Sequence, residues 1–212
     1  MREKILEELK GASEIAYKEF NTKLIPGVDV SKVLGVRIPA QRVIAKKLAR
    51  EDFHVYINEL PEDCFYEERM IHGMILGYAK LEFEEWQRLV NDFVPLIHDW
   101  GTCDSCAMGM KQIKKHLPEG RKLINKYLKS DKEYVKRFAI VMLLAHYIND
   151  EYIEDILEQM AEVNTNKYYV MMAVAWTVST CYIKFPVQTK NLLISGKLDD
   201  VTQNKSIQKI RE

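Results

Sequence analysis

The chain has 212 residues, 47% of them hydrophobic and 29% charged, with 31 Lys and Arg against 31 Asp and Glu. That length is enough to bury a substantial core within one domain, residues 1–212, and the composition excludes a disordered or collagen-like chain. A formal charge of zero argues against binding polyanions over the whole surface, and the first residues mix both charge signs without an apolar signal core.

In chain order, residues 3–20 read as an amphipathic helix with Gly11 as a weak point, and residues 21–29, with Pro26 and Gly27, as a loop. Pro39 suits a first helical turn, which predicts a helix over 39–50. Residues 52–60 alternate like a strand but sit among helical patterns, so a helix is favoured. Further helices are expected at 61–81, 83–97, 104–116, 120–129, 131–148, 150–163, 166–185, 187–193 and 199–211. Nothing reads as a sheet, and the fold class is all-α. The apolar stretches 138–148 and 168–183 read as buried helices, the first too short to span a bilayer and the second interrupted by Thr177, Ser179 and Thr180. No membrane association is expected.

Four cysteines, Cys64, Cys103, Cys106 and Cys181, make no disulfide framework in a chain of this size without export signals, and a cytoplasmic location follows. Cys103 and Cys106 form one C-x-x-C, but no second pair completes a zinc site and the βαβ context of a redox motif is missing, so no metal is expected.

Charge is strongly segregated beneath the neutral total. Residues 111–137 carry ten basic residues against Glu119, Asp131 and Glu133, whereas 51–68 carry seven acidic residues and 150–162 six, with no basic residue in either. Such a chain can present a positive face to phosphates, although the same runs also describe solvated helix faces.

Arg69, Asp104, Arg137 and Met172 occupy similar positions in the first helix of successive pairs, 35, 33 and 35 residues apart. Helix pairs at that period are the mark of a curved α-solenoid of stacked antiparallel pairs, whose concave wall collects one helix per pair. Trp100, Asp104, Arg137 and Trp176 are the residues such a wall would bring together. If the turn after Asp99 opens a helix, Trp100 and Asp104 share a face, and a π surface beside a carboxylate suits a flat cation. Each also has a plainer reading: Asp104 as a first-turn carboxylate, Trp176 as core packing and Arg137 as a surface ion-pair residue.

At these residues the chain resembles the bacterial DNA alkylation-repair glycosylases with HEAT-like repeats, the AlkD-like family. The resemblance spans nearly the whole chain and is carried by Gly-Val-Arg-Ile-Pro-Ala-Gln-Arg at 35–42, Trp-Gly-Thr-Cys-Asp at 100–104, Lys-Arg-Phe-Ala-Ile at 136–140 and Tyr-Tyr-Val-Met-Met-Ala-Val-Ala-Trp at 168–176. It implies excision of N3- or N7-alkylated purines from double-stranded DNA by a monomer without a cofactor. By matching position it implies Asp104, Trp100 and Trp176 as catalytic residues, and Arg137 with Lys136 as DNA-binding residues. The stretch 35–42 is read as setting repeat geometry. Gly101 and Ser179 depart from the family pattern, which has an acidic residue and an Arg there. Two other readings therefore stand beside the glycosylase: a helical-repeat module binding nucleic acid or protein through its groove, and a protein-binding solenoid contacting partners through its acidic helices.

Overall fold

The computed structural model describes residues 1–212 and is all-helical, with a single isolated bridge between Ser13 and Val36 as its only β pairing. No helix is long and apolar enough to cross a membrane. The chain divides into two compact units, residues 1–112 and 113–212.

The first unit contains α1 (Arg2–Gly11), α2 (Ile15–Leu24), α3 (Ile38–Leu48), α4 (Phe53–Asn58), α5 (Tyr66–Tyr78), α6 (Phe83–Phe93) and α7 (Trp100–Gly109). Its centre is α5, which packs on α3, α6 and α7, over a core that includes Leu9, Ile71, Ile75, Trp86 and Phe93. The second unit contains α8 (Leu117–Leu128), α9 (Glu133–His146), α10 (Ile153–Glu162), α11 (Tyr168–Lys184), α12 (Pro186–Ile194) and α13 (Asp200–Arg211). Here α11 is central, packed on α9, α13, α10 and α12, with Phe138, Ile156, Val174 and Val178 in the core.

Four expected elements are corrected. The helix expected over 3–20 is two helices, because the backbone between them is pinned elsewhere: Glu14 N donates to Gly35 O at 2.9 Å beside the Ser13–Val36 bridge. Gly35 permits this with a φ of 88°, and a Cβ there would stand 2.7 Å from Glu14 O. The helix expected from 61 begins only at Tyr66, since the Glu68 carboxylate turns back to accept from Phe65 N at 3.0 Å and closes the first turn. The helix expected over 104–116 starts instead at Trp100 and ends at Gly109, followed by a 3₁₀ turn over Lys111–Lys115. Pro95 likewise limits the helix expected over 83–97 to α6, with a 3₁₀ turn over Val94–Leu96.

The repeat period is written into the polar contacts. Hydrogen bonds link residues 30 to 36 apart throughout each unit: Glu67 accepts from Leu34 and Gly35 N at 2.9 and 2.8 Å, Arg121 Nε donates to Asp155 at 3.0 Å, and Tyr169 N donates to Glu133 at 2.8 Å. Not all of the acidic run over 51–68 is solvated, because Glu67 and Glu68 are fully buried anchors, the latter also accepting from Arg2 Nε at 2.8 Å.

Candidate functional site

Helix α7 is positioned by its own first turn. Asp99 adopts an extended backbone (φ −147°, ψ 157°), and its carboxylate accepts from Thr102 N at 2.7 Å, which makes it the N-cap. Burial pushes the Asp99 carboxyl above the usual range, opposed by the N–H groups of Thr102 and Gly101, with the neighbouring charge of Asp104 adding to the rise. Asp104 is therefore not the first-turn carboxylate of the plainer reading, since the helix is capped at Asp99 and opens at Trp100. Asp104 is the fifth residue of α7, one turn after Trp100, and is 9% exposed.

Trp100 is half-buried, and its indole Nε1 donates to Leu24 O at 2.7 Å, tying the ring to the C-terminal end of α2. The fully buried indole of the chain is Trp86, whose Nε1 donates to Leu76 O at 3.0 Å. The difference separates a core tryptophan from one held by its edge with part of its face open.

Asp104 opens onto a groove of about 440 Å³ that it shares with Arg42 from α3, Tyr78 from α5, Ser105 and Met108 from α7, and Lys111. It is the one carboxylate in that lining, against the exposed cations Arg42 and Lys111. Lys46, one turn after Arg42, lies 5.4 Å from the Tyr78 ring centroid and adds a third positive charge nearby. Close approach of α5 to α7 shapes the groove: a Cβ on Gly77 would stand 2.8 Å from Gly109 O.

Arg42, Tyr78 and Lys111 were not singled out from the sequence. Arg42 lies within the stretch read as setting geometry, and that stretch does both jobs. Gln41 is buried with Nε2 donating to Val36 O at 2.6 Å, while Arg42, the next residue, faces the groove. Exposed Arg42 and Lys46 at i,i+4 spacing on α3 were the available signal.

The other expected residues lie in the second unit. Arg137 on α9 is 6% exposed, its Nη1 donates to Tyr169 O at 2.7 Å, and its guanidinium carbon lies 5.8 Å from the Tyr169 ring centroid. It is a tether between α9 and the start of α11, rather than the surface ion-pair residue of the plainer reading. Lys136, a step of about 100° round the helix, is half-buried and lines two grooves with Asn164. Trp176 on α11 is half-buried, so it is not a closed core residue, and its carbonyl accepts from both Ser179 Oγ (2.8 Å) and Thr180 Oγ1 (2.9 Å).

The surroundings of Gly101 and Ser179 leave little room for larger side chains. A Cβ at Gly101 would stand 2.8 Å from the Tyr66 hydroxyl and 3.2 Å from Asp99 Oδ1, so an acidic side chain there would crowd a phenol and face a carboxylate. Ser179 is buried and bonded within its own helix, in a position from which a long cationic side chain would have to leave the core. The thiols of Cys103 and Cys106 are buried and unbridged, and no group of three His, Cys, Asp or Glu side chains stands together as a ligand set.

Compared with known proteins, residues 5–194 match the family model described as DNA alkylation repair enzyme. No curated protein matches the chain.

Proposed function

The chain belongs to the DNA alkylation repair enzyme family, and from that premise we propose that it is a DNA N-glycosylase that removes N3- or N7-alkylated purines from duplex DNA. Asp104 carries this reading, as the single acid in a groove whose other charged groups are cations and which an aromatic ring borders. A nucleic-acid strand is anionic along its backbone but, at an N3- or N7-alkylated purine, cationic at the base. A positive rim around one negative group complements both.

The chemistry requires little more. An alkylated purine is already a cationic leaving group, so its glycosidic bond breaks without a general acid, and the sugar left behind is oxocarbenium-like. A carboxylate about 4 Å from that charge, at an effective dielectric near 20, supplies on the order of 4 kcal/mol, roughly a thousandfold in rate where the interaction exists only in the transition state. Water then adds at the anomeric carbon and gives up a proton to solvent, while the alkylated base has left as a neutral molecule. Trp100, one turn before Asp104, offers an aromatic ring to a cationic base, worth about 0.5 to 2 kcal/mol and acting on the substrate as well, and the resemblance assigns Trp176 a contact of the same kind. Asp104 therefore governs rate and the two indoles govern recognition. Arg137, bonded to Tyr169 O, acts as a positioning residue for α11, which carries Trp176, and Lys136 supplies the phosphate contact.

Release of 7-methylguanine and 3-methyladenine from methylated duplex DNA tests the reading. Wild type is expected to release one or both, and Asp104→Asn to fall by at least about a hundredfold while affinity for DNA changes little, since the lost charge acts on the transition state. A wild-type protein that binds DNA and releases no base would overturn the glycosylase and leave a helical-repeat module that holds nucleic acid.

A further inference from the structure

The basic run over 111–137 is only partly absorbed by the proposed site, and the structure sorts its members. Its two arginines are internal: Arg121 is 8% exposed and bonded to Asp155, and Arg137 to Tyr169 O. Its lysines point outward. Around Lys136, two grooves of about 400 and 110 Å³ share Lys136 and Asn164; the first adds Lys129, and the second Lys132 and Lys167. These four lysines come from the end of α8, the residue before α9, the first turn of α9 and the residue before α11.

The two helix starts lie side by side. Lys167 Nζ donates to Asp131 O at 2.7 Å, and Tyr169 N donates to Glu133 Oε1 at 2.8 Å. The carboxylate of Glu133 is thereby engaged, leaving Asp131 and Glu162 as the other acids on the groove rims against four ammonium groups. Adjacent N-terminal ends of α9 and α11 add their partial positive charge on the same side. Tyr168, 61% exposed and stacked edge-on against Tyr169, gives this edge an open aromatic face.

We propose that Lys129, Lys132, Lys136 and Lys167 form a track for consecutive phosphates of one DNA strand along the edge of the second unit where α9 and α11 begin. The track rests on DNA being the substrate but not on the chemistry assigned to Asp104. It reconciles a neutral chain with a polyanionic ligand, because the cations needed are gathered on one edge while the arginines of the same run hold helices together. Flexible lysines make sequence-independent contacts of the kind an enzyme needs when the lesion, and not the surrounding sequence, is what it seeks.

The test is the salt dependence of binding to an undamaged fluorescent 20-base-pair duplex. For Lys132→Gln/Lys136→Gln/Lys167→Gln, the slope of log affinity against log salt should become shallower by about 2 to 3, and affinity at 0.1 M salt should fall by about tenfold or more. The double variant Lys132→Gln/Lys136→Gln keeps the Lys167 tether and should lose about two-thirds of that slope. A charge-matched control, Lys184→Gln/Lys190→Gln/Lys197→Gln, all exposed in the same unit, should keep the wild-type slope. The track is overturned if both track variants keep the wild-type slope, if the control loses as much, or if wild type binds no DNA. Base release is read separately: release with an unchanged slope sinks the track alone, and a lost slope without release sinks the glycosylase alone.

Discussion

His72 shows how far a single side chain departs from its free behaviour. It lies on α5 with 6% exposure, packed edge-on against Phe93 at 4.9 Å between ring centroids. Burial first, and the positive charge of Arg69 second, hold its pKa down at about 4 against an ordinary 6.5. Between those two values the unfolded chain binds the proton that the folded chain refuses. Stability is therefore fully present above about pH 6.5 and is lost as pH falls toward 4, at up to about 1.4 kcal/mol per pH unit. Urea unfolding at pH 7 and pH 5 should show that loss in wild type and a smaller one in His72→Phe; equal losses would mean that the imidazole is not the group responsible. Asp104 is also a question of residue scale. Four-residue spacing to Trp100 singled it out in the sequence, whereas its lone-acid surroundings, with Arg42 and Lys111, depend on side chains that no spacing rule links.

At the scale of elements, the placement of α7 against α5 sets the geometry around Asp104. Contact between them is close because α5 turns glycines toward α7: a Cβ at Gly77 would meet Gly109 O, and one at Gly73 would meet Cys106 Sγ, with the Phe93 ring of α6 beside it. Gly77→Ala is expected to destabilise the protein by about 1 to 3 kcal/mol, since a backbone atom cannot swing aside, with a melting temperature lower by about 2 to 4 °C per kcal/mol. Base release should fall further than the folded fraction does. Gly11→Ala supplies the contrast, because nothing lies within 4 Å of the added carbon and alanine favours helix; a melting point lowered equally in both variants would refute the close-approach account. Helix types and order were readable from apolar periodicity and proline positions. Starts and stops were not where a distant partner decided them: α2 begins where it does because Glu14 pairs with Gly35, whereas the start of α7 is local, set by Asp99 accepting from Thr102 N.

Across the whole molecule, each unit closes its own core around thiols that stay reduced. Burial pushes the Cys106 thiol far above its ordinary range and Cys181 up to about 12, and all four cysteines are buried and outside any disulfide. The native protein should therefore react with a thiol reagent such as DTNB by well under one equivalent over minutes and with all four thiols once unfolded. Rapid labelling of two or more in the native state would show that a core is open. Closed cores in both units also leave the charged residues as the groups that meet a ligand, and there the neutral total conceals the separation described above, ten basic residues in one run and thirteen acidic ones in two others.

The all-helical class, the period in the thirties and the four-residue step from Trp100 to Asp104 were readable from residue order alone, because each follows from local rules of chain geometry and from where apolar side chains recur. It also carried the kinship that the match over residues 5–194 establishes. Which charged residues are available is set by how the helices pack. Glu67, Glu68, Arg121 and Arg137 turn inward to satisfy buried polar groups on neighbouring helices, while Arg42, Lys111 and Lys136 are left to line open grooves. That sorting depends on which partners lie across a helix interface about 30 residues away, and a linear pattern of charges does not contain it.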